Sequence, residues 1–146
     1  LDDGCGMNID DIRQKWMHVG KSTKNYETVL ENNQVRVLAG SKGIGRFALA
    51  RLGEAASVIS KKENCPGVVW NTDWNSSIVS VDKKISEKGT KIIIKKLRNK
   101  WNNRRIQNLV SFLSKTYNDY AMEICVCHPD GKFYCIPIYN RTNSRN

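Results

Sequence analysis

The stretch DDGCGM, residues 2–7, decides how the rest of this sequence is interpreted. It places two adjacent carboxylates ahead of two glycines that stand one residue apart, and a methionine follows. Glycine has no Cβ, so a chain with this spacing can turn tightly and approach another group closely. Taken alone, Asp2 is more often a turn or cap residue, with Asp3 as its competitor, so its role depends on what the rest of the chain provides.

Two further glycine-containing stretches follow along the chain. GSKGIGRF, residues 40–47, combines three glycines with basic and aromatic residues, and GTKIII, residues 89–94, begins with Gly-Thr and continues as an apolar run. The glycines of residues 40–47 supply free amides at the start of a buried helix predicted for residues 47–52. Unpaired N–H groups and the positive end of a helix dipole favour an anion such as a triphosphate.

The three stretches, in this order and spacing, resemble the motifs of the GHKL superfamily. That superfamily includes the ATPase domains of type II DNA topoisomerases, the ninety-kilodalton heat-shock chaperones, histidine kinases and mismatch-repair ATPases. The resemblance runs from residue 1 to about residue 126 and is closest to the chaperone-like and related prokaryotic ATPases. It implies a two-layer α+β sandwich of the Bergerat type. It also implies that residues 1–146 are a single ATP-binding domain, truncated at its N-terminus.

The resemblance assigns nucleotide-binding roles to particular side chains. Asp2 would accept a hydrogen bond from the adenine amine, and Thr90 would complete the pattern through water. Met7 would pack on the base, while Gly4 and Gly6 would let the backbone pass beneath it. The implied cofactor-binding residues are Asp2, Gly4, Gly6, Met7, Lys21, Gly40, Lys42, Gly43, Ile44, Gly45, Arg46, Phe47 and Thr90. Residues 21–39 would form a lid over the nucleotide.

The catalytic residues are unknown from this sequence. In the family, a helix ahead of the first motif carries the catalytic Glu and an Asn that holds Mg²⁺, and both would lie before Leu1. The implied cofactors are ATP and Mg²⁺, and no metal ligand is assigned within the chain. Hydrolysis is expected of the intact protein, whose partners would be ATP, ADP and a second copy of the chain. Its nucleotide state would drive a conformational or dimerisation switch.

Two other glycine signals offer alternatives. HVGKST, residues 18–23, resembles half of a phosphate loop, but Lys15 stands where that motif requires its first glycine. Residues 43–48 fit the dinucleotide fingerprint, and Glu63 lies about 20 residues further on, as the fingerprint asks. That interpretation would make the chain a dinucleotide-binding oxidoreductase.

Composition and charge are typical of a globular protein with acidic partners. The chain has 146 residues, of which 40% are hydrophobic and 26% charged, and its net charge is +10.

Residues 91–105 contain no acidic residue and seven basic ones, Lys91, Lys95, Lys96, Arg98, Lys100, Arg104 and Arg105. Charge runs are usually solvated faces. With Trp101 as a stacking platform, however, this stretch could bind nucleic acid, which makes a nucleic-acid-binding module with a vestigial nucleotide pocket a second alternative.

Hydropathy gives no sign of a membrane segment. No apolar run approaches the roughly 18–20 residues that a membrane span needs, and no stretch looks like a signal peptide. We therefore expect a cytoplasmic protein with no membrane partner.

Periodicity predicts an α/β domain whose neighbouring strands form a mixed, largely antiparallel sheet with helices on one face. Helices are predicted at residues 8–19, 47–52 and 106–117, and a loop at residues 21–33. Strands are predicted at residues 57–60, 67–70, 78–81 and 90–94, and residues 35–38 form a short apolar run. A hairpin is predicted from residues 122–127 and 133–138, which flank Pro129-Asp130-Gly131.

The five cysteines do not have the spacing of a disulfide framework. Cys125 and Cys127 would share one strand face, with Cys135 across the hairpin and His128 nearby. Zinc is an alternative there, but two cysteines at i and i+2 on a strand make a poor tetrahedral clamp. Reduced thiols in the core are the expected state.

Overall fold

The computed structural model describes residues 1–17, 27–29, 35–37, 45–117 and 122–137. The chain divides into two compact units, Leu1–Thr28 with Val37–Asn99 and Val29–Arg36 with Lys100–Asn146. Within the described ranges, none of the helices has the length and apolar character that crossing a membrane requires.

The helices and strands are numbered in chain order. They are α1 (Ile9–Asp11), which continues as a π-helical turn (Ile12–Trp16), β1 (Glu27–Val29), β2 (Val35–Val37), a 3₁₀ turn (Gly45–Ala48), α2 (Leu49–Leu52), β3 (Gly53–Lys61), β4 (Gly67–Thr72), β5 (Ser77–Asp82), β6 (Gly89–Leu97), α3 (Asn103–Thr116), β7 (Cys125–Cys127) and β8 (Phe133–Cys135).

A four-stranded sheet forms the centre of the first unit. Its strands lie in the order β5-β4-β3-β6, and every neighbouring pair is antiparallel. Val58 of β3 stands opposite Trp70 on one side and Ile92 on the other. The pairs β3–β4 and β4–β5 join chain neighbours through short connections, which is possible only between antiparallel strands, whereas β6 returns to pair with β3. The predicted fold class, α+β with a largely antiparallel sheet, is confirmed.

One face of this sheet carries the hydrophobic core. Val58, Val68 and Trp70 project from β3 and β4 and pack with Ile12 from the π-helical turn. Burying each of these side chains contributes roughly 1.5–3 kcal/mol relative to leaving it exposed. Trp16 meets Trp70 edge to face, with ring centroids 6.1 Å apart. The first helical segment therefore covers the sheet and completes the second layer.

The start of α1 is fixed by reciprocal hydrogen bonds. The Asn8 side chain accepts from the Asp11 amide at 2.8 Å, and the Asn8 amide donates to the Asp11 carboxylate at 3.2 Å. The same carboxylate contacts the Lys15 ammonium at 2.7 Å and the Lys62 ammonium at 3.2 Å. Because Lys62 directly follows β3, Asp11 ties the helix to the end of that strand.

The second unit contains α3 and a two-stranded hairpin. The Asn102 side chain caps α3 by accepting from the Arg105 amide at 3.0 Å. In the hairpin, β7 pairs with β8, and the His128 amide closes the turn by donating to the Lys132 carbonyl at 2.8 Å. The predicted hairpin is confirmed, with strands shorter than the apolar runs indicated.

The four runs predicted as sheet strands each lie inside a longer strand. Pairing continues past the apolar residues; for example, Gly53 at the start of β3 stands opposite Leu97. The helix predicted for residues 8–19 begins at Ile9, and its described part ends at Trp16.

Three sequence expectations are wrong. Strand β1 falls inside residues 21–33, which were predicted as a loop. Residues 47–52 are helical but not buried; Phe47 is 46% exposed, because a single turn of helix covers the sheet with only one side. The cysteines of the hairpin are exposed rather than in the core, since β7 and β8 turn one face to solvent.

We expect the Asp11→Asn variant to lose about 1 kcal/mol of stability at neutral pH, a figure discounted for the solvent exposure of both lysines. Burial raises the pKa of Asp11, but the hydrogen bonds from Lys15, Asn8 and Lys62 outweigh it and hold that pKa below its ordinary value of 3.8. A carboxyl whose pKa is lowered by folding stabilises the protein at pH values above its pKa in the unfolded chain. This stabilisation is lost as the pH falls through its pKa in the folded protein.

Urea titrations of the wild type and the variant should therefore differ at neutral pH, begin to converge near pH 3.8, and meet only below the lower pKa of Asp11 in the folded protein. Asp10→Asn is the matched control, because Asp10 lies in the same turn and forms no ion pair among the described residues. A loss of equal size in both variants would contradict the role given to Asp11.

Candidate functional site

The first residues of the chain pair with the start of β6. The Asp2 amide donates to the Thr90 carbonyl at 2.9 Å, and the Thr90 amide donates to the Asp2 carbonyl at 3.1 Å. On its other side Thr90 stands opposite Ser60 of β3. Residues that are 88 positions apart in sequence are therefore held side by side by two main-chain hydrogen bonds.

Two glycines make this close packing possible. Gly89 has φ +125°, and an added Cβ there would overlap the main-chain oxygen of Asp2. Gly6 has φ +67°, and its added Cβ would overlap the carbonyl oxygen of Lys61. Both positions combine a positive φ with a backbone contact, a pair of conditions that only glycine meets without strain. The close approach at Gly6 is thus to the end of β3.

Ser60 connects the elements that meet here. It is 1% exposed, and its hydroxyl accepts from the Met7 amide at 2.8 Å and donates to the Gly89 carbonyl at 3.0 Å. Its oxygen lies 2.9 Å from the Thr90 hydroxyl. The sequence predicts only a strand position for Ser60; the signal that could have shown its role is its place as a small polar residue at the end of an otherwise apolar run.

The Asp2 carboxylate lies at the surface of this junction. Its Oδ1 accepts from the Gly4 amide at 3.0 Å, which closes a tight turn and orients the side chain. Within the described ranges, Oδ2 accepts no hydrogen bond. Asp2 therefore combines a main chain fixed by pairing with Thr90 and an exposed carboxylate that accepts a hydrogen bond from Gly4 through Oδ1.

The described end of the glycine-rich stretch begins a 3₁₀ turn at Gly45. The Arg46 guanidinium lies 5.8 Å from the ring centroid of Trp16 and 5.4 Å from that of Phe47. Partial burial lowers the pKa of Arg46 below its ordinary value. Arg46 remains a cation at neutral pH, and the two rings hold it beside the helical layer.

The structure brings together five of the residues predicted to bind nucleotide. They are Asp2, Gly4, Gly6, Met7 and Thr90. Gly45, Arg46 and Phe47 are described at the start of the 3₁₀ turn, where Arg46 lies over the rings of Trp16 and Phe47. Lys21, Gly40, Lys42, Gly43 and Ile44, with most of the predicted lid, lie outside the described residues.

The sheet and its helical layer define an α+β domain of the kind found in ATPases with antiparallel sheets. A family model for histidine kinase-, DNA gyrase B- and HSP90-like ATPases matches residues 1–109. The chain therefore belongs to this family, which confirms the resemblance seen in its three motifs. A search of the curated proteins found no match. Membership of the family indicates that the chain binds ATP.

The dinucleotide interpretation of residues 43–48 lacks its structural basis. That fingerprint works between two parallel strands of a βαβ unit. Here α2 leads into β3, and both neighbours of β3 in the described sheet are antiparallel to it.

We expect Gly6→Ala to destabilise the chain by about 3 kcal/mol. About 1 kcal/mol comes from placing a Cβ at positive φ, and roughly 2 kcal/mol from displacing the Lys61 carbonyl. Gly131→Ala is the matched control, because Gly131 has φ +86° but no atom lies within 4 Å of an added Cβ. In a urea titration, Gly131→Ala should lose only the contribution of about 1 kcal/mol that comes from a Cβ at positive φ. Equal losses would show that Gly6 is needed for its φ alone.

Proposed function

We propose that the junction of Asp2, Thr90 and Met7 binds the adenine of ATP. The observation that carries this proposal is the main-chain pairing of Asp2 with Thr90, which holds the two residues directly opposite each other. Both side chains can face the edge of a purine, and the family to which the chain belongs is one of ATPases.

The Asp2 carboxylate suits the exocyclic amine of adenine. Because Gly4 occupies Oδ1, the amine would donate to Oδ2, which accepts no hydrogen bond within the described ranges. Guanine carries a carbonyl at the corresponding position, and a carboxylate facing that oxygen would leave both acceptors unpaired. A site built on such a contact discriminates strongly, since unpaired buried polar groups are costly. We therefore expect selectivity for ATP over GTP.

The hydrogen bonds of Ser60 bear on whether the Thr90 hydroxyl acts as a donor or an acceptor toward a ligand. Ser60 has one proton, and the Gly89 carbonyl to which it points can only accept. With the Ser60 proton on that carbonyl, Thr90 donates its own proton to the Ser60 oxygen, 2.9 Å away. Its lone pairs are left to accept from a ligand or a bridging water. Ser60 thus makes Thr90 an acceptor, which matches the amine side of adenine.

Binding of the phosphates is proposed for the glycine-rich stretch. Arg46 supplies a cation beside the 3₁₀ turn, and Lys21, Lys42 and the amides of Gly40, Gly43, Ile44 and Gly45 are the further groups expected from the sequence. Mg²⁺ would accompany the triphosphate and neutralise part of its charge. Residues 21–39 would close as a lid, and the nucleotide state would act as a conformational or dimerisation switch in a cytoplasmic, chaperone-like ATPase.

The test is the loss of ATP-induced stabilisation in Asp2→Asn. In this variant the amide oxygen can keep the hydrogen bond from Gly4, so the NH₂ group replaces Oδ2 and would face the adenine amine, donor against donor. At ATP concentrations about 100 times Kd, the wild type should gain about 2.7 kcal/mol, and the variant should gain almost nothing. Thermal unfolding with and without ATP measures both values.

Asp3→Asn is the matched control, because it makes the same change of charge one residue away. It should leave the response to ATP intact. Unchanged stability of Asp2→Asn without ligand would show that the fold is preserved. An undiminished response to ATP in that variant, or an equal loss in both, would refute the assignment of Asp2.

Nucleic-acid binding is the second candidate, and it rests on the exposure of the basic stretch. All seven basic residues between positions 91 and 105 are exposed, and within the described ranges none forms an ion pair with an acidic side chain. Trp101, in the second unit, is 45% exposed. Lys91 and Lys95 are four residues apart on β6, so they project from the same face of the strand.

We expect the double variant Lys91→Glu, Lys95→Glu to weaken binding of single-stranded DNA in gel shifts. Each lost phosphate contact should lower the salt slope of log K by about 0.7. The matched control is Lys83→Glu with Lys84→Glu, which reverses two exposed charges outside the stretch. Equal affinity and equal slope in both double variants would indicate that the stretch is only a solvated face.

A further inference from the structure

The hairpin of the second unit places two cysteines directly opposite each other. Cys125 of β7 is paired in register with Cys135 of β8. The Ile136 amide donates to the Ile124 carbonyl at 2.8 Å, and the His128 amide donates to the Lys132 carbonyl at 2.8 Å. Hydrogen-bonded and non-hydrogen-bonded pairs alternate along an antiparallel ladder, so Cys125 and Cys135 form a non-hydrogen-bonded pair.

Non-hydrogen-bonded pairs bring their side chains closest together, with Cα atoms about 4.5 Å apart. That separation lies within the range that a disulfide spans, about 4.4–6.8 Å. The two sulfur atoms are 2.9 Å apart, and both cysteines are exposed. Cys127 lies diagonally from Cys135, at a distance of about 7–8 Å in such a ladder, which is beyond that range. The register therefore selects one pair among the three cysteines of the hairpin.

We propose that Cys125 and Cys135 form a reversible disulfide across the hairpin when the protein meets a low-molecular-weight disulfide such as oxidised glutathione. The inference is independent of the nucleotide site. The two cysteines also lie beyond residues 1–109, the part of the chain that the family model matches.

The reaction is a two-step thiol–disulfide exchange. One cysteine thiolate attacks a sulfur of oxidised glutathione, a mixed disulfide forms, and one glutathione thiolate leaves. The second cysteine, as a thiolate, attacks the protein sulfur of that mixed disulfide and expels the second glutathione. Two protein thiols are oxidised, one molecule of oxidised glutathione is reduced to two of reduced glutathione, and the protons pass to the leaving thiolates.

The arrangement favours stepwise ionisation. The hydrogen bond with Cys135, with partial desolvation and the nearby Glu123 carboxylate, raises the pKa of Cys125 to about 11. Two thiolates 2.9 Å apart would repel, so one sulfur attacks while the other is still protonated. Forming the mixed disulfide removes this repulsion and frees the second thiol to ionise.

A soft metal ion is the competing occupant. The Glu123 carboxylate and the two sulfurs lie within 4.8 Å of one another. Three such groups from one exposed hairpin leave a tetrahedral ion with an open position, unlike a closed structural zinc site. The experiment is therefore done after treatment with a chelator, so that a bound ion cannot mask the thiols.

The full chain is equilibrated in buffers of stepped reduced-to-oxidised glutathione ratio, then alkylated, digested and analysed by mass spectrometry. The peptide pair joined through Cys125 and Cys135 should accumulate roughly tenfold or more over any other cysteine pair, because the second thiol attacks intramolecularly at high effective concentration. Returning the sample to reduced glutathione should restore both thiols.

Cys127→Ser is the matched control, and it should leave the cross-link unchanged. Cys135→Ser should instead stop at the mixed disulfide of Cys125 with glutathione, which shows that Cys125 is reactive but lacks its partner. A cross-link that uses Cys127 as readily as Cys125, or mixed disulfides without a cross-link in the wild type, would overturn the proposal. So would thiols that stay reduced at every ratio.

Discussion

The backbone pairing of Asp2 with Thr90 is the constraint on which the candidate site depends. Two main-chain hydrogen bonds add the start of the chain to the outer edge of β6. They fix the Asp2 main chain, which cannot move without losing both, and the Gly4 amide then orients the carboxylate. Gly89 is required by the same contact, since its φ and the nearness of the Asp2 oxygen exclude a Cβ. The main chain of Asp2 is thus placed by secondary structure rather than by a loop.

The hydrophobic core packs against the residues of the candidate site and supports them. Val58 and Ser60 project from the same face of β3, the first into the apolar cluster and the second into the junction with Met7 and Thr90. On the other side of the cluster, Trp70 meets Trp16, which in turn contacts Arg46. One packed layer therefore supports both the purine end and the described phosphate end of the proposed site. A change in this layer should affect both ends together.

The sequence predicted the strands because their apolar runs are short and bounded by turns, and it predicted a largely antiparallel sheet because the strands follow one another closely. It did not predict that β6 pairs with β3. It predicted Asp2 and Thr90 through motif order, which reflects a shared architecture. It missed Ser60, because a serine at the end of a strand carries no periodic signal and gains its role only when β6 and Met7 arrive beside it. The close approach of Gly6 to Lys61 could not be predicted from the sequence either, because it joins residues 55 positions apart.

The two units stabilise their exposed functional groups by different means. In the first unit the Asp2 carboxylate is held by hydrogen bonds to the main chain, so its position does not depend on the redox state of the protein. In the hairpin, a ladder of only three residue pairs holds Cys125 opposite Cys135, and isolated two-stranded hairpins are marginally stable. A covalent cross-link would stabilise such a ladder far more than it would a sheet of four strands. The β7–β8 ladder aligns the two thiols, and it is therefore also the part of the structure that their oxidation would stabilise most.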